Sequence, residues 1–302
     1  MMSNWSGVGT ALVTPFTAAG AIDERALRTL VERQVHGGVH FVVPCGTTGE
    51  APTLSRDERE RVVAITVEVV AGRIPVLAGV GGYDTAEVTR LARAAERLGV
   101  QGLLSVTPYY NKPTQEGLYQ HYSAIAAGTS LPLIVYNVPG RTGCNVEPRT
   151  LARLAAVANI VGVKEASGNM QQMCEVCRAV PADFSVLCGD DALTLPLMAI
   201  GGRGVISVAA NLVPDRMVRL VTAALSGDFA AARREHDALL PLMLVNFVES
   251  NPIPVKAGMA MLGLCEPVYR LPMVPPAEHN AAHIRQTLAD AGLSLTVEAR
   301  SA

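Results

Sequence analysis

Lysine is scarce in this sequence, and one lysine stands where its amine could react. Of the 25 basic residues, only Lys112, Lys164 and Lys256 are lysines. Lys164 closes the apolar run 160–163, so its ammonium must be paired, reach solvent or lose its proton. Desolvation favours the neutral form of a lysine, and a neutral amine attacks carbonyl groups. We therefore predict that Lys164 is a nucleophile; a salt bridge with Glu165 at the end of the strand is the alternative.

Hydroxyl groups follow other apolar runs of the sequence. Tyr136 stands near the end of the run 133–137, and Thr47 and Tyr110 follow two further runs. A tyrosine hydroxyl shuttles protons when it is hydrogen-bonded in a relay, although a lone buried tyrosine is more often a core residue. Three hydroxyls that converge on Lys164 fit the core alternative poorly, so we predict that they serve its chemistry.

Two features of the sequence suit negatively charged ligands. The Gly-Thr-Thr-Gly turn at 46–49 offers backbone N–H groups and hydroxyls to a carboxylate or phosphate. Arg141, in a Pro-Gly loop just beyond Tyr136, can hold a carboxylate through two parallel contacts. A plain glycine turn and a surface cation are the alternatives, and either feature alone is a weak signal.

The elements that must position these residues alternate along the chain. Short apolar runs are typical of strands buried on both faces, and helix start signals such as Ser55 with Glu58 separate them. Eight strand–helix units predict an α/β fold, a (β/α)8 TIM barrel, with its active site at the carboxyl ends of the strands. A doubly wound sheet is the alternative, because sequence does not give strand order. The predicted strands are residues 9–14, 39–43, 75–80, 102–107, 133–137, 160–164, 185–188 and 204–208.

The last quarter of the chain has a different pattern. Residues 229–248, 254–264 and 278–291 read as helices, and no strand pattern lies among them. We therefore predict two domains, a catalytic barrel at 1–227 and a C-terminal helical domain at 228–302.

Composition limits the class of protein. A formal net charge of −2 gives no basic surface for nucleic acid, and no apolar run approaches the roughly 20 residues that span a bilayer. The N-terminus lacks a signal-peptide pattern, and the six scattered cysteines are typical of reduced thiols. We expect a cytoplasmic protein with neither nucleic acid nor membrane partners.

Neither candidate metal pattern in the sequence is complete. Cys174 and Cys177 fall inside a predicted helix with no second cysteine pair, and His279 and His283 share a helix face without an obvious third ligand. We expect no metal and no cofactor.

Seven motifs resemble the dihydrodipicolinate synthase family of pyruvate-dependent class I aldolases. They stand in the order and spacing of that family and span nearly the whole chain. The motifs are GTTGE (46–50), TPYYNKP (107–113), YNVPGRTG (136–143), GVKEASG (162–168), GDD (189–191), GGRGVISV (201–208) and NPIPVK (251–256).

This resemblance implies a role for each predicted catalytic residue. Lys164 would form a Schiff base with pyruvate, and Tyr136 would act as general acid and base. A proton relay would link Tyr136 through Thr47 to Tyr110, which members of the family lend across a dimer interface. The family usually forms homotetramers, as dimers of dimers, and works in the diaminopimelate route of lysine biosynthesis.

The resemblance also implies the residues that bind the two substrates. Thr48, together with Thr47, would hold the pyruvate carboxylate. Arg141 would receive the carboxylate of L-aspartate 4-semialdehyde, while Gly189 and Ile206 would line the pocket with main-chain groups. The chemistry agrees, because pyruvate needs an amine and an anion site, and an amino-acid aldehyde needs a second anion site.

Two alternative functions remain open at this point. N-acetylneuraminate lyase and hydroxy-oxo-acid aldolases share the lysine and the tyrosine, but they usually lack the loop arginine, so Arg141 favours the synthase. A catalytically silent barrel that only binds ligands has little need for the amine of Lys164.

A possible effector site departs from the family pattern. Glu87 and Tyr109 match the position where lysine-inhibited members bind lysine. The residues around them differ from the small polar, histidine and asparagine types common in inhibited bacterial members, and two are arginines, which would repel a cationic effector. We hypothesise weak or absent inhibition by lysine. The differing residues are Ala51, Arg56, Arg59 and Tyr83.

Overall fold

The computed structural model describes residues 5–296, and its centre is a barrel of eight parallel strands. The strands pair in the order β2-β1-β8-β7-β6-β5-β4-β3, and a parallel bridge between Val42 and Val76 joins the two ends. This closed order confirms the TIM barrel and excludes the doubly wound sheet. The strands are β1 (Gly7–Ala11), β2 (Phe41–Val43), β3 (Leu77–Gly79), β4 (Gly102–Val106), β5 (Leu133–Asn137), β6 (Ile160–Glu165), β7 (Ser185–Cys188) and β8 (Gly204–Ser207).

Helices alternate with the strands and carry the local signals that the sequence predicted. Ser55 Oγ accepts from the Glu58 backbone N–H, and the Glu58 carboxylate accepts from the Ser55 N–H, which forms the predicted capping box. Within the described residues, the helices are α1 (Glu24–His36), α2 (Arg56–Val70), α3 (Thr85–Arg97), α4 (Gln115–Ala127), α5 (Pro139–Thr142), α6 (Pro148–Leu154), α7 (Met170–Ala179), α8 (Thr194–Ala199), α9 (Pro214–Leu225), α10 (Phe229–Val245), α11 (Ile253–Met261) and α12 (Glu278–Asp290).

Two apolar cores follow from the alternation of side chains along each strand. One lies between the strands and the helices, and the other fills the barrel interior. Trp5 and Phe41 meet edge to face in the interior, with ring centroids 5.2 Å apart. The Phe41 ring occupies the space that a Cβ at position 9 would need, which explains Gly9 on the neighbouring strand. Because side chains fill the barrel interior, a ligand site can form only at the ends of the strands.

The helices after residue 227 lie against the barrel. Helix α11 is buried from Ile253 to Met259, and Lys256 within it forms an ion pair with Glu50 in the loop after β2. The division into domains at residue 227 stays a prediction. Between residues 5 and 296, no helix combines the length and apolar character needed to cross a membrane.

Candidate active site

Lys164 points into the barrel interior from the end of β6. Strands β5 and β6 pair in a register that places Lys164 beside Tyr136. The lysine is 5% exposed, and its Nζ lies 4.2 Å from the centroid of the Tyr136 ring. Among the described residues, no hydrogen bond or ion pair reaches this Nζ. The amine is therefore nearly buried, beside the Tyr136 ring and without a counterion among the described residues.

The salt bridge between Lys164 and Glu165 does not form. Glu165 faces the helix layer, because neighbouring residues of a strand point to opposite sides of the sheet. Its carboxylate accepts from Asn137 Nδ2 at 3.0 Å, from the Ser167 N–H at 2.9 Å and from Gln172 Nε2 at 3.3 Å. The structure thus decides against the alternative left open for Lys164.

Gly189 and Ile206 lie on the interior side at the ends of the next two strands. A Cβ at position 189 would come within 3.1 Å of Lys164 Cε and 2.5 Å of the Ala166 Cβ. Glycine at this position leaves the room that the lysine chain requires. Ile206 is buried in the interior core and pairs with Gly9 of β1.

A cavity of about 230 Å³ opens at the carboxyl ends of the strands. Its lining includes Thr47, Tyr136 and Arg141, three of the predicted site residues. Lys164 does not line it directly but lies against the Tyr136 ring, which does. The volume lies below the range typical of drug-sized ligands, so the cavity suits a small metabolite.

The turn after β2 is held in place by hydrogen bonds around Thr48. The Thr14 hydroxyl donates to the Gly49 carbonyl at 2.7 Å, and the Gly49 N–H donates to the Gly46 carbonyl at 3.2 Å. Thr48 is buried, and its Oγ1 accepts from Asn251 Nδ2 at 3.0 Å. Thr47, which lines the cavity, is only partly buried. The predicted anion site therefore has a fixed backbone.

Tyr110 is not brought to the cavity of its own chain. Its side chain is 92% exposed, and its backbone has a φ of 67°, in the left-handed region that non-glycine residues rarely adopt. No hydrogen bond links it to Thr47 among the described residues. The predicted relay is thus incomplete within a single chain.

Arg141 lies on α5, the single-turn helix that follows β5. Its side chain is exposed and reaches the cavity, and its Nη2 donates to the main-chain carbonyl of Asn251 at 3.2 Å. Asn251 thus contacts two predicted substrate-binding residues, Thr48 and Arg141, although sequence reasoning gave it no role. The signal was present, because Asn251 opens the NPIPVK motif.

Glu87 and Tyr109 share a neighbouring cleft of about 410 Å³. Glu87 accepts from Arg90 at 2.6 Å and from Arg56 at 3.1 Å, and these hydrogen bonds, that from Arg90 foremost, lower the pKa of its carboxyl group. Tyr109 packs edge to face on Tyr83 at 5.1 Å, and burial raises its pKa. Glu87, one of the two acidic residues that line this cleft together with Asp84, is therefore already paired with arginines.

Comparisons with known proteins agree along nearly the whole chain. Residues 4–291 match the Dihydrodipicolinate synthetase family. A 4-hydroxy-tetrahydrodipicolinate synthase of Koribacter versatilis is 53% identical over 288 residues, which cover 95% of this chain and 96% of the relative.

Solved structures give the same result. Dihydrodipicolinate synthase from Aquifex aeolicus superposes with a TM-score of 0.95 at 44% identity, covering 97% of this chain and all of the other. The chloride-inhibited dihydrodipicolinate synthase of Acinetobacter baumannii, complexed with pyruvate, gives a TM-score of 0.94 at 43% identity, over 96% and 99% of the two chains. The chain therefore belongs to the dihydrodipicolinate synthetase family.

Proposed function

We propose that this chain condenses pyruvate with L-aspartate 4-semialdehyde through a Schiff base on Lys164. It is a lyase with 4-hydroxy-tetrahydrodipicolinate synthase activity, in the diaminopimelate route of lysine biosynthesis. The observation that carries the assignment of the nucleophile is the position of the Lys164 amine, which is nearly buried, lies against the Tyr136 ring and has no counterion within residues 5–296.

The first step is formation of the Schiff base. The neutral amine of Lys164 attacks C2 of pyruvate, and water leaves as the C=N bond forms. Tyr136, which lines the cavity beside Lys164, gives a proton to the departing oxygen and takes protons back at later steps. Thr47 and Thr48 hold the pyruvate carboxylate through the backbone and hydroxyls of their turn.

The second step joins the two substrates. Loss of a proton from C3 of the bound pyruvate gives an enamine, whose C3 attacks the aldehyde carbon of the semialdehyde. Arg141, at the cavity, holds the carboxylate of this second substrate. The substrate amine then adds to C2 and displaces the Lys164 amine, which closes the ring and frees the enzyme. Gly189 and Ile206 contribute main-chain groups to the pocket.

The complete proton relay requires a second copy of the chain. Tyr110 is exposed and is not among the residues that line the cavity of its own chain, and this exposure supports a role in the site of a neighbouring subunit. The assembly is a homotetramer built as a dimer of dimers, and the protein is cytoplasmic.

A comparison of aldehydes tests the proposed second substrate. Purified protein with pyruvate should consume L-aspartate 4-semialdehyde far faster than N-acetylmannosamine or small neutral aldehydes. Arg141→Ala should remove most of this preference while pyruvate binding persists, because Arg141 provides the second anion site. Preference for N-acetylmannosamine would instead make the chain an aldolase of a sugar acid.

A further inference from the structure

The segment that opens α11 joins the two proposed anion sites. Asn251 is 4% exposed. Its side-chain Nδ2 donates to Thr48 Oγ1 at 3.0 Å, across 203 positions of sequence, and its carbonyl accepts from Arg141 Nη2 at 3.2 Å, across 110 positions. One residue therefore contacts both the turn after β2 and the helix after β5.

We infer that Asn251 is a positioning residue that orients the hydroxyl of Thr48 and the guanidinium of Arg141 towards the two substrate carboxylates. This inference rests on the proposed function, which gives Thr48 and Arg141 their ligands. Asn251 acts through these residues and does not itself touch a reacting atom.

The hydrogen bond from Asn251 determines which way the hydroxyl hydrogen of Thr48 points. A threonine hydroxyl carries one hydrogen and two lone pairs. Because Nδ2 of Asn251 donates to Oγ1, one lone pair is occupied and the hydroxyl hydrogen points elsewhere. No other hydrogen bond uses this hydroxyl among the described residues, so its hydrogen has no protein acceptor there, and we assign it to the pyruvate carboxylate.

The contact with Asn251 restricts the orientation of the Arg141 guanidinium plane. The guanidinium is planar and presents its N–H groups in a rigid fork. The carbonyl of Asn251 holds one N–H of Nη2 and thereby limits rotation of an exposed side chain, while the remaining N–H groups stay available to a carboxylate. This contact is made by the main chain, so it survives replacement of the Asn251 side chain.

A buried ion pair also joins the turn after β2 to the segment that contains Asn251 and α11. Lys256 Nζ lies 2.5 Å from Glu50 Oε1, and the lysine is fully buried, with its Nζ 4.1 Å from the centroid of the Phe16 ring. Glu50 closes the turn that carries Thr48, and Lys256 lies five positions after Asn251. The backbone on both sides of the Asn251–Thr48 hydrogen bond is therefore held in place.

Of the two polar atoms of the Asn251 side-chain amide, only Nδ2 has a hydrogen-bond partner among the described residues. Its Oδ1 is buried and has no partner among the described residues. Nδ2 is therefore the one atom of this side chain that has a hydrogen-bond partner among the described residues, and that partner is Thr48.

Asn251→Asp and Asn251→Ala test this role through the Michaelis constants of both substrates. Aspartate can only accept, so it reverses the hydrogen bond with Thr48 and adds a negative charge near the pyruvate carboxylate. We expect KM for pyruvate to rise about tenfold or more in Asn251→Asp and about threefold to tenfold in Asn251→Ala. KM for the semialdehyde should change much less, because the carbonyl that holds Arg141 remains.

The matched control is Ser250→Ala, at the preceding, exposed residue, and it should leave both constants unchanged. In a Thr48→Val background, Asn251→Ala should have no further effect on KM for pyruvate, since their hydrogen bond is already lost. This cycle decides the question even if Asn251→Asp does not fold. Unchanged KM for pyruvate in folded variants, or an equal rise for both substrates with a lowered Tm, overturns the inference. Absence of pyruvate trapping on Lys164 in the unaltered protein would instead refute the proposed function.

Discussion

Lys164 and Tyr136 are register partners on adjacent strands, and the amine lies 4.2 Å from the centre of the phenol ring. Both side chains project into the barrel interior, where Gly189 leaves space for the lysine chain. The proposed nucleophile and the proposed proton donor are thus placed together by the pairing of β5 with β6.

Removal of the Tyr136 hydroxyl should impair catalysis while the fold persists. Tyr136→Phe keeps the ring that packs against Lys164 and removes only the hydroxyl that we propose transfers protons. We expect kcat to fall about 100-fold to 10,000-fold, the usual contribution of general acid–base catalysis, with little change in Tm. Steady-state kinetics and calorimetry measure the two quantities. A variant with nearly normal kcat would remove Tyr136 from the mechanism.

The buried ion pair of Lys256 and Glu50 should matter for stability. Lys256→Met leaves Glu50 as an unpaired buried carboxylate, which costs about 3–5 kcal/mol, and the Tm should fall accordingly. Adding Glu50→Gln should recover much of the loss, because the uncompensated charge is gone. Lys112→Met, at an exposed lysine, is the control and should shift stability by no more than about 0.5 kcal/mol. Equal Tm values for the Lys256 and Lys112 variants would contradict this account.

Glu58 should contribute to stability in a pH-dependent way. Hydrogen bonds from Arg270, at 2.5 and 2.8 Å, lower the pKa of the Glu58 carboxyl from 4.5 to about 2. Between these values the unfolded chain binds more protons than the native one, so the stabilisation is present above about pH 4.5 and is lost as the pH falls towards 2. Glu58→Gln should therefore show a lower Tm at neutral pH and a flatter decline of Tm on acidification. Parallel Tm curves for this variant and the unaltered protein would refute the prediction.

Lysine should inhibit weakly or not at all. Arg56 and Arg90 already pair with Glu87, and Arg59 adds positive charge to a cleft whose one other acidic lining residue is Asp84. A titration of free lysine into the condensation assay measures this directly. Half-inhibition at sub-millimolar lysine would contradict the prediction.

The sequence predicted the residues of the site that lie at the ends of strands. Lys164 and Tyr136 each close an apolar run, so their meeting follows from the barrel. The alternation of side chains along a strand also argues against pairing of Lys164 with Glu165, because consecutive residues face opposite sides of the sheet. The NPIPVK motif marks Asn251 in the sequence, but its contact with Thr48 could not be derived, because that contact spans 203 positions and depends on how the C-terminal helices pack.

Borohydride reduction in the presence of pyruvate tests the nucleophile most directly. Mass spectrometry of the digested protein should find a reduced pyruvyl adduct on Lys164. Lys164→Arg, which keeps the charge but loses the nucleophile, should fold normally, form no adduct and have negligible turnover. The control variant Lys112→Arg should form the same pyruvyl adduct on Lys164 as the unaltered protein. An adduct on another residue, or turnover close to normal in Lys164→Arg, would contradict the proposed mechanism.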